Sequence, residues 1–388
     1  MTSVASQSAG SPAPTLSPYA AQQLGEDRAA LAGPLRDLLW QNGLRWPTWI
    51  DVRPGLLQLL LADCVDAPLA ATRRALLQKQ RDRISQGLVA VGLALAAPRI
   101  ALWLPADAGP RGGQSTQHAS AIAELQAPAA YPSQPQRALA SDEGRAWAVP
   151  AEQLVAIAEL LTEPPPARSA ASLISVVGAV QRPAVLPLPV EPVTPRQLVA
   201  HSGGASSAAW VPLLGDPIHG SIWEADRPLP TAIAGAPPAV LYILPARHEL
   251  IRRHRASPSL RQRAANTCLS CTLCTDLCPT AGTGTKPHLL MRALGQGSGR
   301  ALSSQILAAT AGCSRCGACS VACPAELLPG AVVAAFAAEL PSPDHDDAEP
   351  PPLPDLSRLP WPRMLARLGL DRFAEPAIEP SPVAIRLG

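Results

Sequence analysis

Eight cysteines stand close together in the C-terminal third of the chain, in two copies of one spaced motif. The copies are Cys268-x2-Cys271-x2-Cys274-x3-Cys278-Pro279 and Cys313-x2-Cys316-x2-Cys319-x3-Cys323-Pro324. Three thiolates at i, i+3 and i+6 on a curled loop converge on three irons of one cubane, and backbone N–H groups can then reach its sulfides. The two motifs therefore predict two [4Fe–4S] clusters.

The fourth cysteine of each motif leads into a proline turn and points away from the other three. In this arrangement it closes the cluster of the neighbouring motif. The expected ligand sets are Cys268, Cys271, Cys274 and Cys323 for cluster 1, and Cys313, Cys316, Cys319 and Cys278 for cluster 2. Two clusters in one small domain form a relay for single electrons, so we expect no catalytic residue.

Structural zinc and disulfides explain these cysteines less well. Zinc uses two separated cysteine pairs that close one tetrahedron, whereas here three evenly spaced cysteines recur with a terminal Cys-Pro. Disulfides fit neither the spacing nor a reducing compartment. The ninth cysteine, Cys64, lies alone in an apolar segment, and we expect it to be a buried core residue.

Composition excludes several classes of function. The 388 residues carry a formal net charge of only +2, which does not favour nucleic acid or a membrane surface. The first 30 residues lack a basic region followed by an apolar one, so no secretory signal is expected. The longest apolar stretch, residues 87–105, is interrupted by Pro98 and Arg99 and is too short to span a bilayer. A cytoplasmic chain without a transmembrane span is the expectation.

Around the cysteines, the apolar patterning predicts a multidomain α+β chain. We expect a disordered lead at 1–17 and an α/β domain at 18–165, with a helix at 71–86 and a buried strand within 88–104. Residues 166–249 read as strand, turn, strand and helix, the order that begins a β-grasp domain. A mainly helical two-cluster domain at 250–340, with helices at 287–295 and 301–310, precedes a proline-rich linker and docking tail at 341–388.

The cysteine domain resembles a known family. The run 268–279, followed by Lys286-Pro287-His288 and Met291-Arg292-Ala293-Leu294, resembles the cluster domain of the cobalamin reductases of propanediol-utilisation microcompartments. Their wider family includes the C subunit of the Rnf electron-transport complex. The segments 176–180, 203–204 and 214–220 resemble the family's soluble-ligand-binding (SLBB) β-grasp domain, and 358–370 resembles its C-terminal stretch. The resemblance extends over about 171–375.

The resemblance thins upstream. The family's N-terminal domain, shared with the NADH-binding flavoprotein subunit of complex I, has a glycine-rich loop and a lysine that bind a phosphate. Here Gly43, Pro47 and Thr48 remain, but Leu44, Arg45 and Asp51 stand where the family has other glycines and the lysine. The second family segment, at 131–136, lacks its glycine and acid. A degenerate Rossmann-like domain is therefore expected, with FMN absent.

The resemblance implies an electron-transfer component that is not a stand-alone NADH dehydrogenase. Its partners would be a ferredoxin-like or flavodoxin-like donor and a cobalamin-dependent or other oxidoreductase, with a microcompartment lumen or shell as one setting. One alternative is a peripheral subunit of a membrane electron-transport complex. An alternative of another class is a scaffold or binding protein in which the clusters are structural.

Two further segments allow two interpretations each. A basic run contains Arg252, Arg253, His254, Arg255, Arg261 and Arg263. It would either steer an acidic redox partner or form a solvated face. The one-sided tail at 359–373 would either dock on a partner or fold back over the chain's own core, and folding back is favoured.

Overall fold

The structure is a computed structural model. It describes residues 28–41, 44–46, 50–51, 57–106, 122–127, 146–161, 173–189, 191–230, 239–255, 260–295, 306, 310, 313–337, 355 and 358–378. The expected lead at 1–17, the linker at 341–354 and the segment 131–136 lie outside these residues, as do Gly43, Pro47 and Thr48.

The first part of the chain forms a parallel sheet covered by helices. Its strands are β1 (Leu59–Asp63), β2 (Ile100–Leu104), β3 (Ala123–Gln126) and β4 (Ala146–Pro150), and their order is β3-β2-β1-β4. The pairs β1–β2, β1–β4 and β2–β3 are all parallel. Helix α1 (Arg28–Gln41) precedes the sheet, α2 (Thr72–Ala94) joins β1 to β2, and α3 (Ala151–Leu160) follows β4. The expected α/β character of this region is confirmed.

Helix α2 is longer than the sequence predicts. It continues to Ala94, so the apolar run from Leu88 is helical and only its end, from Ile100, is the expected buried strand. Gly87 allows α2 and α3 to pack closely, because a Cβ there would lie 2.1 Å from the carbonyl oxygen of Leu154 in α3. The run is apolar on all sides because α1, α3 and the sheet all cover it. Sequence periodicity cannot distinguish such a fully buried helix from a buried strand.

A second, mixed sheet follows. Its strands are β5 (Leu173–Gly178), β6 (Ala184–Pro187), β7 (Trp210–Leu214), β8 (Ser221–Ile222) and β9 (Val240–Pro245), in the order β6-β5-β9-β7-β8. β5 and β9 are parallel neighbours, and the other pairs are antiparallel. The predicted helix is α4 (Pro195–His201), which begins with a capping box between Thr194 and Gln197.

The cysteine region is mainly helical among the described residues. Its helices are α5 (Glu249–His254), α6 (Leu260–Thr267), α7 (Leu273–Asp276), α8 (Pro287–Gly295), α9 (Ala318–Ala322) and α10 (Pro329–Ala337), and α11 (Trp361–Leu368) lies in the tail. Helix α8 matches the predicted range 287–295. Of the helix expected at 301–310, only Ile306 and Thr310 are described, and both are helical.

The tail folds back over the chain. Leu359, Met364 and Leu368 are buried in one core with residues of β5, β7, β9, α5 and the second cysteine motif. Arg367 Nη1 donates to the carbonyl oxygen of Ala322 at 3.0 Å. The second sheet, the cysteine region and the tail therefore share one core. Among the described helices, none is both long and apolar enough to span a membrane.

Candidate metal centre

The structure brings together the four cysteines predicted for cluster 1. Cys268, Cys271, Cys274 and Cys323 line one pocket. Three of them come from the loop that ends in α7, and the fourth comes from the end of the other motif. Cys323 lies close enough to Cys274 for thiolate repulsion to raise the pKa of Cys274. Cys323, the last cysteine of the second motif, thus lies on the same pocket as three cysteines of the first motif.

The second group of four is also assembled. Repulsion from Cys278 and Cys313 contributes to the raised pKa of both Cys316 and Cys319. The two groups adjoin, since Cys274 also contributes to the raised pKa of Cys319. Within the described part of the chain, no three or more His, Cys, Asp or Glu side chains are grouped to hold a single metal ion.

The two cysteine loops share an unusual backbone conformation. Ser270 and Arg315, each two residues after the first cysteine of its motif, have φ of 52° and 55°. Thr272 and Gly317, each four residues after it, have φ of 61° and 79°. Non-glycine residues adopt these left-handed conformations at a cost, and alternating left-handed residues turn successive N–H groups towards one concave side. The loops therefore form cradles for an anionic group.

Several donors already face the sulfur atoms. The Arg315 N–H donates to Cys313 Sγ at 3.4 Å, and the Leu327 N–H donates to Cys323 Sγ at 3.5 Å. The Thr280 hydroxyl lies 3.3 Å from Cys278 Sγ. Such donors stabilise thiolate sulfur that is bound to iron. The chemistry of these cysteines and their backbone fits iron–sulfur clusters.

Burial keeps the metal-free thiols protonated. Desolvation raises the pKa of Cys274 to about 12 and that of Cys316 to about 11, and it raises the pKa of Cys319 well above its ordinary value. Iron must therefore displace protons from these thiols when it binds. The protein would favour the charged ligands only when metal is present.

The two motifs differ in their exposure to solvent. In the first, Cys271 is exposed and Leu269 keeps 70% of its surface accessible. In the second, Cys316 and Cys319 are buried, and His219 Nε2 lies 3.1 Å from the carbonyl oxygen of Cys316. His219 thus contacts the backbone of the second motif. Cys271 of the first motif is therefore exposed where the equivalent Cys316 of the second motif is buried.

Of the residues that stand in the places of the family's glycines and lysine, Leu44 lies in the core of the first domain, whereas Arg45 and Asp51 are exposed. Leu44 and Trp46 are buried. Asp51 forms an ion pair with Arg36 and accepts a hydrogen bond from Trp46 Nε1 at 2.8 Å. Arg45 Nη1 donates to the carbonyl oxygen of Trp40 at 2.6 Å. Each charged group here already has a partner within the protein.

A buried ionic cluster lies at the carboxyl end of β1, where parallel sheets commonly bind ligands. Arg73 Nη1 lies 2.5 Å from Asp63 Oδ2, and Arg73 Nε lies 3.0 Å from Glu152 Oε2. Asp66 accepts hydrogen bonds from the backbone N–H groups of Arg73 and Arg74 at the start of α2. Sequence reasoning missed this cluster. The signal in the sequence was a carboxylate at the end of one apolar segment and at the start of another, Asp63 in β1 and Glu152 in α3.

The basic run is only partly a surface feature. Arg253 Nη1 donates to the carbonyl oxygen of Ser320 at 3.1 Å, and His254 Nε2 lies 2.8 Å from that of Pro217. Arg252 pairs with Glu326 at 2.7 Å. Arg255 and Arg263 are exposed, and the side chain of Arg261 is outside the described residues. Cys64, by contrast, is fully buried, as predicted for a core residue.

Comparisons with known proteins support the centre. The family of 4Fe-4S dicluster domains matches residues 267–328. The chain is 32% identical over 220 residues to the cobalamin reductase PduS of Salmonella typhimurium, covering 54% of this chain and 47% of that protein. It is 33% identical over 206 residues to the PduS protein of Citrobacter freundii, covering 51% and 44%. The chain thus spans about half the length of the curated relatives it matches.

Two solved structures of an NAD+-reducing [NiFe]-hydrogenase are also similar, both at 16% identity. The H2-reduced state has a TM-score of 0.43 and covers 84% of this chain and 66% of its own. The air-oxidized state has a TM-score of 0.39 and covers 90% and 66%. The sequence comparisons confirm the predicted resemblance to cobalamin reductases and the predicted 4Fe–4S domain, and they support an iron–sulfur electron-transfer protein.

Proposed function

We propose that this chain relays single electrons through two [4Fe–4S] clusters, between a soluble carrier and a partner oxidoreductase. The observation that carries the proposal is the position of Cys323 among the first motif's Cys268, Cys271 and Cys274. Two adjoining groups of four cysteines, each completed by the other motif, are what two clusters in one domain require. Clusters of this type supply one-electron oxidation and reduction when bound.

In this proposal the first group of four holds cluster 1, and Cys278 joins Cys313, Cys316 and Cys319 around cluster 2. The left-handed residues of both loops point N–H groups at the bound sulfur, and burial of Cys316 and Cys319 excludes water from cluster 2. Exposure of Cys271 and Leu269 makes cluster 1 the side that meets a protein partner. Arg255 and Arg263 add positive charge that suits an acidic carrier of the ferredoxin or flavodoxin type.

The first domain would not bind FMN. A phosphate site needs backbone N–H groups without side chains in the way, together with a positive charge that is not neutralised. Here Leu44 and Trp46 fill the region with core side chains, and Asp51 takes Arg36 as its partner. At the sheet edge, Asp63 and Glu152 occupy Arg73. Electrons would then enter the clusters directly from a protein donor.

We also propose the finer division into domains. Residues 18–165 would form the degenerate Rossmann-like unit and 166–249 an SLBB-type β-grasp unit, with 250–340 as the two-cluster unit. Support for the β-grasp unit comes from a hairpin of β5 and β6, the helix α4, and the parallel central pair β5–β9.

The similarity to PduS proteins favours cobalamin reduction as the use of the electrons, in the cytoplasm or in a microcompartment lumen. A flow experiment separates this relay from a scaffold with structural clusters. The anaerobic protein is reduced with dithionite and mixed with an oxidised one-electron acceptor such as ferricyanide and, separately, with cob(III)alamin. A relay should deliver about two electrons per chain, one from each cluster. Clusters that dithionite cannot reduce would overturn the relay and favour the scaffold.

A further inference from the structure

A cavity of about 360 Å³ lies behind the second cysteine motif, where five parts of the chain meet. Its walls are the loop at 217–219, helix α5, the loop and helix at 315–321, helix α10 with Leu328 before it, and Leu368 at the end of α11. None of the eight motif cysteines lines it, so it is separate from the cluster positions. Its volume falls in the range of small-molecule sites in proteins.

The lining is mostly apolar and includes several basic groups. Side chains of Ile218, Val321, Leu328 and Ala334 are among the apolar lining. The basic lining groups are Arg253, Arg315 and the histidines 219 and 254, and no acidic residue is among the described residues that line the cavity. An apolar space with a few convergent polar groups of one sign is the usual composition of a site for an organic ion.

Arg253 is the partly buried cation of the lining. Its Nη1 donates to the Ser320 carbonyl, and its Nε, which has no hydrogen-bond partner among the described atoms, is closed off from solvent and cavity alike, so a ligand would meet the Nη groups. The nearby carboxylate of Glu326 is paired with Arg252 at 2.7 Å. Burial lowers the pKa of the Arg253 guanidinium, because the cation has lost water and gained no full counter-ion. A half-buried guanidinium is stabilised by a carboxylate or phosphate, which its donors bind in pairs.

We propose that this cavity binds a small organic anion, with its carboxylate or phosphate group on Arg253 and its apolar body against Ile218, Val321 and Leu328. Arg315 at the rim adds a second positive charge that attracts the anion. The site is built from parts of the chain that are distant in sequence, so its apolar and basic groups meet only in the folded chain.

The bound anion would share a wall with the second motif. Ser320 follows Cys319 directly, and Gly330 of α10, which also lines the cavity, donates its N–H to Ser320 Oγ at 3.0 Å. A Cβ on Gly330 would lie 3.3 Å from Cys319 Sγ. Negative charge at this wall opposes addition of an electron to cluster 2. Binding of the anion and reduction of cluster 2 are therefore coupled, and each weakens the other.

Isothermal titration calorimetry on the anaerobic protein tests the site with three probes. The probes are 1-naphthyl phosphate, inorganic phosphate without the ring, and 1-naphthol without the charge. We expect saturable binding of 1-naphthyl phosphate, tighter than either partial probe. Substitution Arg253→Leu should weaken it at least tenfold, and Ala334→Phe, which fills the space and leaves the charge, should weaken it similarly.

The control is Arg255→Leu, which removes an exposed arginine next to α5 that does not line the cavity. It should leave the affinity for 1-naphthyl phosphate unchanged. Equal binding by Arg253→Leu and the unsubstituted protein, or no saturable binding by the latter, would overturn the proposal. If inorganic phosphate alone bound as tightly as 1-naphthyl phosphate, the apolar walls would have no part and the organic-anion site would be wrong.

A redox titration tests the coupling, which rests on the proposed relay. With 1-naphthyl phosphate bound tenfold more tightly to the oxidised protein, the midpoint potential of cluster 2 falls by about 59 mV. The potential of cluster 1 should move less, and Arg253→Leu should abolish the shift. If calorimetry shows binding but the midpoint potential of cluster 2 does not shift, the coupling is wrong and the anion site stands. Failure of the relay itself would instead appear as clusters that cannot be reduced.

Discussion

The parallel-sheet domain and the cysteine domain differ in the partners of their charged and sulfur-bearing side chains. In the sheet, Arg73 is matched by Asp63 and Glu152, and Asp51 by Arg36, so the charges are neutralised within the chain. In the cysteine domain, the described donors to Cys313 and Cys323 are backbone N–H groups at 3.4 and 3.5 Å, and four loop residues are held in left-handed conformations. These charges of the sheet domain are thus partnered within the chain, whereas the cysteine loops keep strain that a bound group would offset.

The largest effect that this comparison predicts is the loss of a cluster after Cys278→Ser. Because the proposed ligand sets place Cys278 on cluster 2, we expect about half of the iron to be lost. The EPR signal that remains should match that of Cys316→Ser rather than that of Cys271→Ser. Iron analysis and EPR of the reduced anaerobic proteins measure both.

The matched control is Cys64→Ala, a buried cysteine of the sheet domain, which should keep the full iron content. If the signal left in Cys278→Ser matched that in Cys271→Ser, the crossed ligand sets would be wrong although two clusters remained.

The next effect concerns stability of the sheet domain alone. Arg73→Met leaves two buried carboxylates without their cation, which should destabilise this domain by about 3–5 kcal/mol. The urea midpoint followed by tryptophan fluorescence reports it, because Trp103 and Trp147 lie in this sheet.

Arg196→Met breaks a solvent-exposed ion pair with Asp226 in the second sheet and should have a much smaller effect. Iron content should stay unchanged in both variants. If Arg73→Met lowered the iron content as well as the urea midpoint, the cysteine domain would depend on the sheet domain for holding its iron.

A smaller effect is expected on association with an acidic carrier. Arg255→Glu together with Arg263→Glu should lower the second-order rate of reduction by a ferredoxin or flavodoxin several-fold, and the rate should fall with ionic strength. Arg253 is left in place because its side chain contacts Ser320 rather than solvent. Stopped-flow mixing over a range of salt concentrations measures the rate, with Arg196→Glu as the control. A rate indifferent to both salt and charge would make the basic run a solvated face.

The smallest effect should come from the exposed tip of the first motif. Leu269→Asn should slow electron exchange with a protein partner about two- to fivefold by removing apolar contact area, while stability changes by less than about 0.5 kcal/mol. Leu160→Asn, an exposed leucine of the sheet domain, should change neither. Equal rates for Leu269→Asn and the unsubstituted protein would place the docking surface elsewhere.

The sequence was most informative where spacing and chemistry coincide. Motif spacing predicted that Cys323 joins the first three cysteines, and these four side chains line one pocket. The helix expected after the first two strands of 166–249 is α4, which ends before the glycines 203–204. The end of α2 was not predictable, since residues 88–94 are covered on all sides and lose helical periodicity. The cavity at Arg253 and the ionic cluster at Arg73 were hidden for another reason: their members lie far apart in sequence and meet only through the tertiary fold.

The most direct test is the composition of the unsubstituted protein after anaerobic purification. One sample is denatured, and its iron, acid-labile sulfide, zinc and released FMN are measured per chain. The account predicts about eight irons and about eight sulfides, the content of two cubanes, with no FMN. About four irons, or zinc in place of iron, would contradict the two-cluster relay. FMN near one per chain would contradict the proposal that the sheet domain does not bind FMN.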